Sequence, residues 1–394
     1  MAEGACMRRL GWIALALLAP CALALGWLRA NLEAQLNRVD PVLLPETSAE
    51  AEALHRRSFV ADLHADSLLW GRDLLAHGSV GHVDLPRLQA GGVALQVFGA
   101  PTRVPINVAL DGNAADALDV LGVGGLLLAP RFALSGLLGR ARRLASNLDG
   151  FVQRSDGALR WVRNRADLDA LVAARRSDAS LVGVLYALEG AHALEGDPAN
   201  LAQAFDFGVR MIGLAHFYDN AFIGSAHGVE KGGLSDLGRE LLRDMEARGV
   251  VVDLAHSSPR GIRDVLALAR KPLVVSHGGV RGTCDNQRNL SDAEVRAIAA
   301  SGGVVGIGYF EWAICGTGVE QVVAAIEHVI ALVGDAHVGL GSDFDGAITA
   351  GFDTSRLSVI TQALLDAGHR PERVQRVIGG NILRVLGESL PPTS

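Results

Sequence analysis

Five side chains able to hold a divalent metal stand at the ends of apolar runs in this 394-residue chain. His64 and Asp66 close Phe59-Val60-Ala61-Asp62-Leu63-His64-Ala65-Asp66. Glu189 closes Leu181–Leu188, His256 closes Val250–Ala255, and His277 closes Leu273–Ser276. Imidazoles and carboxylates are ligands for zinc-like ions, and a strand end is a rigid mount for them. Burying so many ionisable groups beside apolar runs is costly unless something pairs them, and two divalent ions would do so. Residues i and i+2 of a strand point the same way, so His64 and Asp66 can reach one ion. His216, Tyr309 and Asp343 occupy the ends of three further runs. Any one of these groups alone, His216 included, reads more naturally as a satisfied structural residue; their coincidence carries the inference. Asp62 and Asp253 read as structural groups or as partners that orient a ligand. His55, His77, His82, His192 and His227 have no strand-end placement and are expected at the surface or in loops.

The elements that must position these groups follow from the hydrophobic pattern. Candidate strands are Phe59–His64, Val93–Phe98, Leu181–Leu188, Val209–Ala215, Val250–Ala255, Leu273–Ser276, Val304–Tyr309 and Val338–Ser342. Helical stretches intervene, among them Leu237–Arg248, Arg260–Ala269, Asp292–Ala300, Val319–Val333 and Ser355–Ala367. Eight strands alternating with helices predict an α/β fold, a closed (β/α)₈ TIM barrel whose C-terminal strand ends build the active site. An open doubly wound sheet is the runner-up, but no Gly-x-Gly-x-x-Gly follows the first strand. Residues 100–180 are too long for one crossover and predict extra helices after strand two, at Ala114–Leu128, Leu134–Leu148 and Arg160–Arg175.

With 49% hydrophobic residues the chain can bury a large core. A net charge of -7 and the lack of a basic cluster argue against nucleic acid as a partner. Arg8 and Arg9 precede nineteen apolar residues, Leu10 to Leu28. That is near the roughly 20 residues that span a bilayer, and longer than the roughly 7–15 of a signal-peptide core. Residues 1–30 are therefore expected to anchor the protein in a membrane, with the body on the extracytoplasmic side (periplasmic in a bacterium). Ala22-Leu23-Ala24 resembles a cleavage site, which keeps secretion after signal removal as the alternative. Residues 31–52 read as a polar, proline-punctuated linker and 53–390 as the catalytic domain. Cys6 and Cys21 belong to the targeting segment. Cys284 and Cys315 would then sit where a disulfide is permitted, two unpaired thiols being the other reading.

The chain resembles the membrane (renal) dipeptidase family of the amidohydrolase superfamily. The resemblance rests on Asp62-Leu63-His64-Ala65-Asp66, Leu188-Glu189-Gly190-Ala191-His192, Gly208-Val209-Arg210 running to His216, and Gly233-Leu234-Ser235. It continues through Asp253-Leu254-Ala255-His256-Ser257, Ser276-His277, Gln287-Arg288-Asn289, Gly341-Ser342-Asp343-Phe344-Asp345-Gly346 and Gly379-Gly380-Asn381. These pieces cover roughly residues 50–390 in family order.

The resemblance implies zinc-dependent hydrolysis of the amide bond of dipeptides by a metal-bridged hydroxide. One ion would be held by His64 and Asp66 and the other by His256 and His277, with Glu189 bridging. His216 would polarise the substrate carbonyl, Arg288 would pair with the terminal carboxylate, and Asp343 would handle the proton. A Cys284–Cys315 disulfide is implied as well, and a homodimer is left open. The chemistry of the residue types agrees: adjacent ions acidify a bridging water, a carboxylate moves protons, and an arginine fork fits a free carboxylate. Two rivals remain. One is another binuclear amidohydrolase acting on a small amide or lactone. Many of those bridge their metals with a carboxylated lysine, but the only lysines here are Lys231 and Lys271, neither at a strand end. The other is a membrane-tethered, non-catalytic binding protein, whose signature would be a missing ligand.

Overall fold

The computed structural model describes residues 27–28 and 31–393. The membrane segment expected over residues 1–30 therefore lies almost wholly outside the described residues. Among those described, no helix is long and apolar enough to cross a membrane.

All eight expected strands form. They are β1 (Val60–Ala65), β2 (Val93–Phe98), β3 (Val182–Glu189), β4 (Val209–Gly213), β5 (Val251–Asp253), β6 (Val274–Val275), β7 (Val304–Ile307) and β8 (Val338–Leu340). Each pairs in parallel with the next. Leu340 of β8 pairs with Asp62 of β1, which closes a (β/α)₈ barrel. Every residue of the eight strands is buried, as expected where helices cover a parallel sheet. In β3, Val182, Val184, Tyr186 and Leu188 join one apolar cluster while Leu185 and Ala187 join another, the two-residue alternation of a pleated strand.

The helices between strands start where local chemistry allows. Ser291 and Glu294 form a capping box at the head of Asp292–Ala300. Ser235 caps Asp236–Arg248, and Gly249 ends it in the left-handed conformation. Gly379 lies against β1: a Cβ there would sit 1.8 Å from the Phe59 carbonyl oxygen. Asn381 beside it donates to the carbonyls of Asp335 and Val338. The Gly-Gly-Asn motif thus locks the last helix under the barrel, away from the chemistry.

The inserted region departs from the pattern. Its helices run Val120–Leu128, Pro130–Ala133, Leu137–Arg154 and Arg165–Ala174. Residues 114–119 are not helical, because the Asp119 side chain caps the first helix. Arg160 and Trp161, expected to open the last of these helices, belong instead to a strand, Leu159–Trp161. It pairs with Val182–Val184 of β3, ahead of the part of β3 that pairs with β4. Tertiary pairing overrides the local pattern there.

Residues 31–52 also carry structure. A helical turn over 31–36 leads into Arg38–Val39, which pairs with Thr349–Ala350 beyond β8. Glu33 meets Arg72, and Arg72 meets Asp345. The segment therefore straps the loop that follows β8.

Candidate active site

The strand ends converge on Glu189. Its Oε1 lies 3.5 Å from His64 Nε2, 3.1 Å from His256 Nε2 and 3.4 Å from His277 Nε2. Its Oε2 lies 3.4 Å from His216 Nε2. His64 Nε2 is also 3.3 Å from Asp66 and 3.9 Å from Asp343. All seven residues are buried. Three triads could each hold an ion: His64–Glu189–His277, Glu189–His216–His256 and His64–Asp66–Asp343. Residues within β1 and β3 and in the segments that follow β1, β4, β5, β6 and β8 thus meet at one end of the barrel.

Several of these atoms have no protein partner. Both ring nitrogens of His64, Oδ1 of Asp66, Oε2 of Glu189 and Nδ1 of His256 are buried without a hydrogen bond. Nε2 of His256 and Nε2 of His277 face each other at 2.9 Å beside one carboxylate oxygen. Orphaned buried donors and acceptors are costly, and lone pairs gathered this way suit a divalent cation. The donor set, nitrogen and carboxylate oxygen, fits zinc or a similar ion. Gly99 leaves the room, since a Cβ there would come within 2.5 Å of Asp66 Oδ1.

The electrostatics point the same way. Burial drives His216, His256 and His277 well below the usual imidazole range, which keeps all three neutral and leaves His256 and His277 free to act as ligands. Burial also pulls on His64, yet Glu189, Asp66 and Asp343 together outweigh it and lift the ring to about 10. Glu189 itself is raised well above the carboxylate range by burial and by Asp66. Asp343 is raised to about 7, mainly by burial and by Asp66 against the pull of His64 and Arg288. A pocket this rich in carboxylates calls for added positive charge.

Backbone strain marks the same rim. His256 and Asp343 adopt left-handed φ values of 62° each, and Asp345 and Ala347 follow at 63° and 60°. Non-glycine residues are held there only where surroundings enforce it. Asp253 accepts from the backbone N–H and hydroxyl of Ser276 at 2.8 and 2.6 Å, and the Ser276 hydroxyl lies 2.9 Å from His277 Nδ1. Asp253 thus orients His277 through Ser276, a link that spacing alone did not disclose. Asp62 accepts from the backbone of His64 and of Ser342 at 3.0 and 3.1 Å, joining β1 to the end of β8.

The remaining expectations divide. Tyr309 is fully buried against Phe344 and Phe352 and belongs to none of the three triads. Of the five histidines expected at the surface or in loops, His55, His82, His192 and His227 are buried. Their rings found partners that sequence could not show. His55 bridges Thr361 and the Gly91 carbonyl, His82 lies between the Asp345 N–H and the Arg38 carbonyl, and His227 meets the Leu110 carbonyl. His192 packs its ring against Tyr218. Only His77 is exposed. Neither lysine reaches the site: Lys231 pairs with Asp111 and Lys271 donates to the Ser389 carbonyl.

A cavity of about 680 Å³ opens over the cluster, and Asp66, Glu189, His216, His256, Arg288 and Asp343 line its floor. Arg288 is buried and donates to the His277 carbonyl at 2.8 Å. It forms no ion pair among the described residues, although Asp343, Glu189 and Asp253 act on its charge from further off. Cys284 and Cys315, in the loops after β6 and β7, form a disulfide beside this floor.

A closed parallel barrel with such a cluster at its C-terminal strand ends defines a metal-dependent hydrolase. The chain belongs to the membrane dipeptidase family, peptidase family M19, which matches residues 48–390. It is 29% identical over 317 residues to Dipeptidase tcpJ of Claviceps purpurea, covering 78% of this chain and 69% of that protein. It is 34% identical over 217 residues to Dipeptidase aclJ of Aspergillus oryzae, covering 52% of this chain and 51% of that one. The chain therefore spans about half the length of the Aspergillus protein. Among solved structures, a dipeptidase AC, described as a family M19 metallopeptidase, superposes with a TM-score of 0.68 at 25% identity. That superposition covers 84% of this chain and 99% of the other. A metallopeptidase from Rhodobacter sphaeroides, liganded with a phosphinate mimic of the dipeptide L-Ala-D-Ala, shares the fold with a TM-score of 0.68 at 24% identity. Coverage is again 84% of this chain and 99% of that one.

Proposed function

We propose that this chain hydrolyses the amide bond of dipeptides with two divalent ions, zinc being the expected metal. His64 and Asp66 would hold one ion, His256 and His277 the other, and Glu189 would bridge. When bound, the pair supplies a water of lowered pKa and Lewis acidity for the scissile carbonyl. The observation that carries the dipeptide reading is Arg288. A buried guanidinium that faces the cavity without an ion pair, its charge offset only from further off by Asp343, Glu189 and Asp253, is placed to receive an anionic ligand. A free C-terminal carboxylate fits its fork in bidentate fashion. Fixing that terminus beside the cluster confines the site to short substrates.

The chain's other groups complete the reaction. His216 stays neutral through burial and so keeps one N–H to donate to the substrate's carbonyl oxygen. Asp343, balanced near neutrality, accepts a proton from the attacking water and returns it to the leaving amine. Phe217, Phe310 and Trp312 give the cavity apolar walls for the substrate side chains.

We place the catalytic domain outside the cytoplasm, held to a membrane by residues 10–28, with secretion after cleavage as the alternative. The Cys284–Cys315 bridge supports an oxidising compartment. The metal-loaded protein should turn over a panel of L,L-, L,D- and D,L-dipeptides and fail on their C-terminal amides. Arg288→Ala should cost the free dipeptides far more than the amides. Equal losses on both would make the arginine structural and return the substrate to the wider class of small amides and lactones.

A further inference from the structure

The cavity has a second half that the chemistry above does not use. Its outer wall is built from Leu32 and Leu36 of the N-terminal segment and from Val120, Leu121 and Phe132 of the insertion. Outside this wall large apolar side chains crowd the surface, interspersed with the exposed charges Arg38, Asp111, Asp116 and Arg131. Twelve of the fifteen exposed large hydrophobic residues among those described fall within residues 27–43 and 106–134. The other three, Val229, Leu237 and Leu268, are scattered, which is ordinary for a soluble surface. Clustering of this kind marks a contact surface.

The helix Val120–Leu128 carries no polar side chain, and no charge occurs from Val120 to Pro130. Val120, Leu121, Gly124 and Gly125 line the cavity, while Val123 and Leu126 are about half exposed on the outside, at 51% and 52%. A helix apolar on both faces belongs in a core or against lipid, and this one lies on the rim of a cavity. Leu118 and Leu134, flanking it, are 64% and 76% exposed.

The chain itself says what covers this face. The apolar stretch Leu10–Leu28 ends four residues before Leu32. Four residues reach at most about 15 Å, so a bilayer that holds the stretch lies within that distance of Leu32. Leu32 shares the cavity wall with Leu121 and Phe132, so the same constraint brings the insertion helix to the membrane. Trp27, 69% exposed, sits where interfacial tryptophans anchor a chain.

We infer that the rim formed by residues 27–28, 31–43 and 106–134 docks on the surface of the bilayer, with the mouth of the active-site cavity opening at the lipid interface. This rests on the proposal that residues 10–28 are membrane-embedded. Amphiphilic substrates partitioned at the interface would then reach Arg288 and the metal cluster without crossing bulk water.

The test uses the full chain in vesicles of phosphatidylethanolamine and phosphatidylglycerol. The photoreactive residue p-benzoylphenylalanine is placed singly at Val123, Leu126, Leu268 or Leu18, and lipid adducts are measured by mass spectrometry. Adducts at Val123 and Leu126 should exceed those at Leu268 several-fold and accompany adducts at Leu18. Labelling at Leu18 with none above the Leu268 level at Val123 and Leu126 overturns the docking surface and leaves the anchor intact. No labelling at Leu18 removes the anchor and the docking surface together. Covalent dimers at Val123 in place of lipid adducts assign the face to a second copy of the chain and overturn the proposal.

Discussion

The floor and the outer wall of the one cavity are held by different forces. The floor stands on barrel strands whose every residue is buried and whose backbone ladders close on themselves. Its ligands lie within these strands, as His64 and Glu189 do, or in the one to three residues just past them, as Asp66, His256 and His277 do, and the three histidines come within 3.5 Å of Glu189. The wall is a strap and an insertion. Part of it is held by charge: Glu33 on Arg72, Arg72 on Asp345, and His82 against the same loop. The rest is an apolar helix with an unburied outer face. Chemistry sits on the rigid part and reach sits on the adaptable part. That division also separates what each substitution should do.

The largest effect is expected at the floor. Metal-loaded protein should hold about two equivalents of divalent ion, and Glu189→Ala should lose metal and turnover together. Elemental analysis decides it: a variant that retains both ions removes Glu189 as the bridge. Asp343→Asn should keep the metal content and lose roughly 10²–10⁴ in kcat, the worth of a general acid–base group. Turnover near that of the parent would refute the proton role, and loss of metal would make Asp343 a ligand.

The disulfide tests how far the floor depends on its loops. Cys284 and Cys315 are 31 residues apart. Closing such a loop stabilises by about 3–4 kcal/mol in the chain-entropy picture. Cys284→Ser with Cys315→Ser should lower the unfolding free energy by about that amount while leaving metal content unchanged. Metal loss in the folded double variant would show that the loops, as well as the strands, position the ligands.

The wall should be the more sensitive to acid. Burial opposes ionisation of Asp345, but the His82 bond, the Arg72 charge and the Ser67 hydroxyl outweigh it and hold the carboxyl far below its usual range. A folded-state pKa below the unfolded one contributes stability above about pH 4, and that contribution is lost as the pH falls further. Asp345→Asn should therefore destabilise the protein at pH 7, with the difference from the parent shrinking toward pH 3 in denaturant titrations. A gap that stays constant with pH would mean that packing, not charge, secures the strap.

Much of the floor was legible because barrel strands are short, apolar and end abruptly in a polar residue. His64, Glu189, His256 and His277 each terminate such a run, and their order along the chain is their order around the barrel. The wall was not legible. Leu159-Arg160-Trp161 has no strand signature of its own and pairs only because β3 offers an unused edge. Arg38–Val39 looks like connector until Thr349–Ala350 lies beside it. His55, His82 and His227 read as surface or loop groups because their partners stand 36 or more residues away.

Sequence alone determined the barrel class and the ligand types, since periodicity and residue chemistry are local properties. Tertiary structure decided which lone pairs face one another, that Ser276 links Asp253 to His277, and that the chain ahead of the barrel walls the cavity. Those are relations between distant segments, and a linear pattern carries no record of where a closed sheet will bring its ends together.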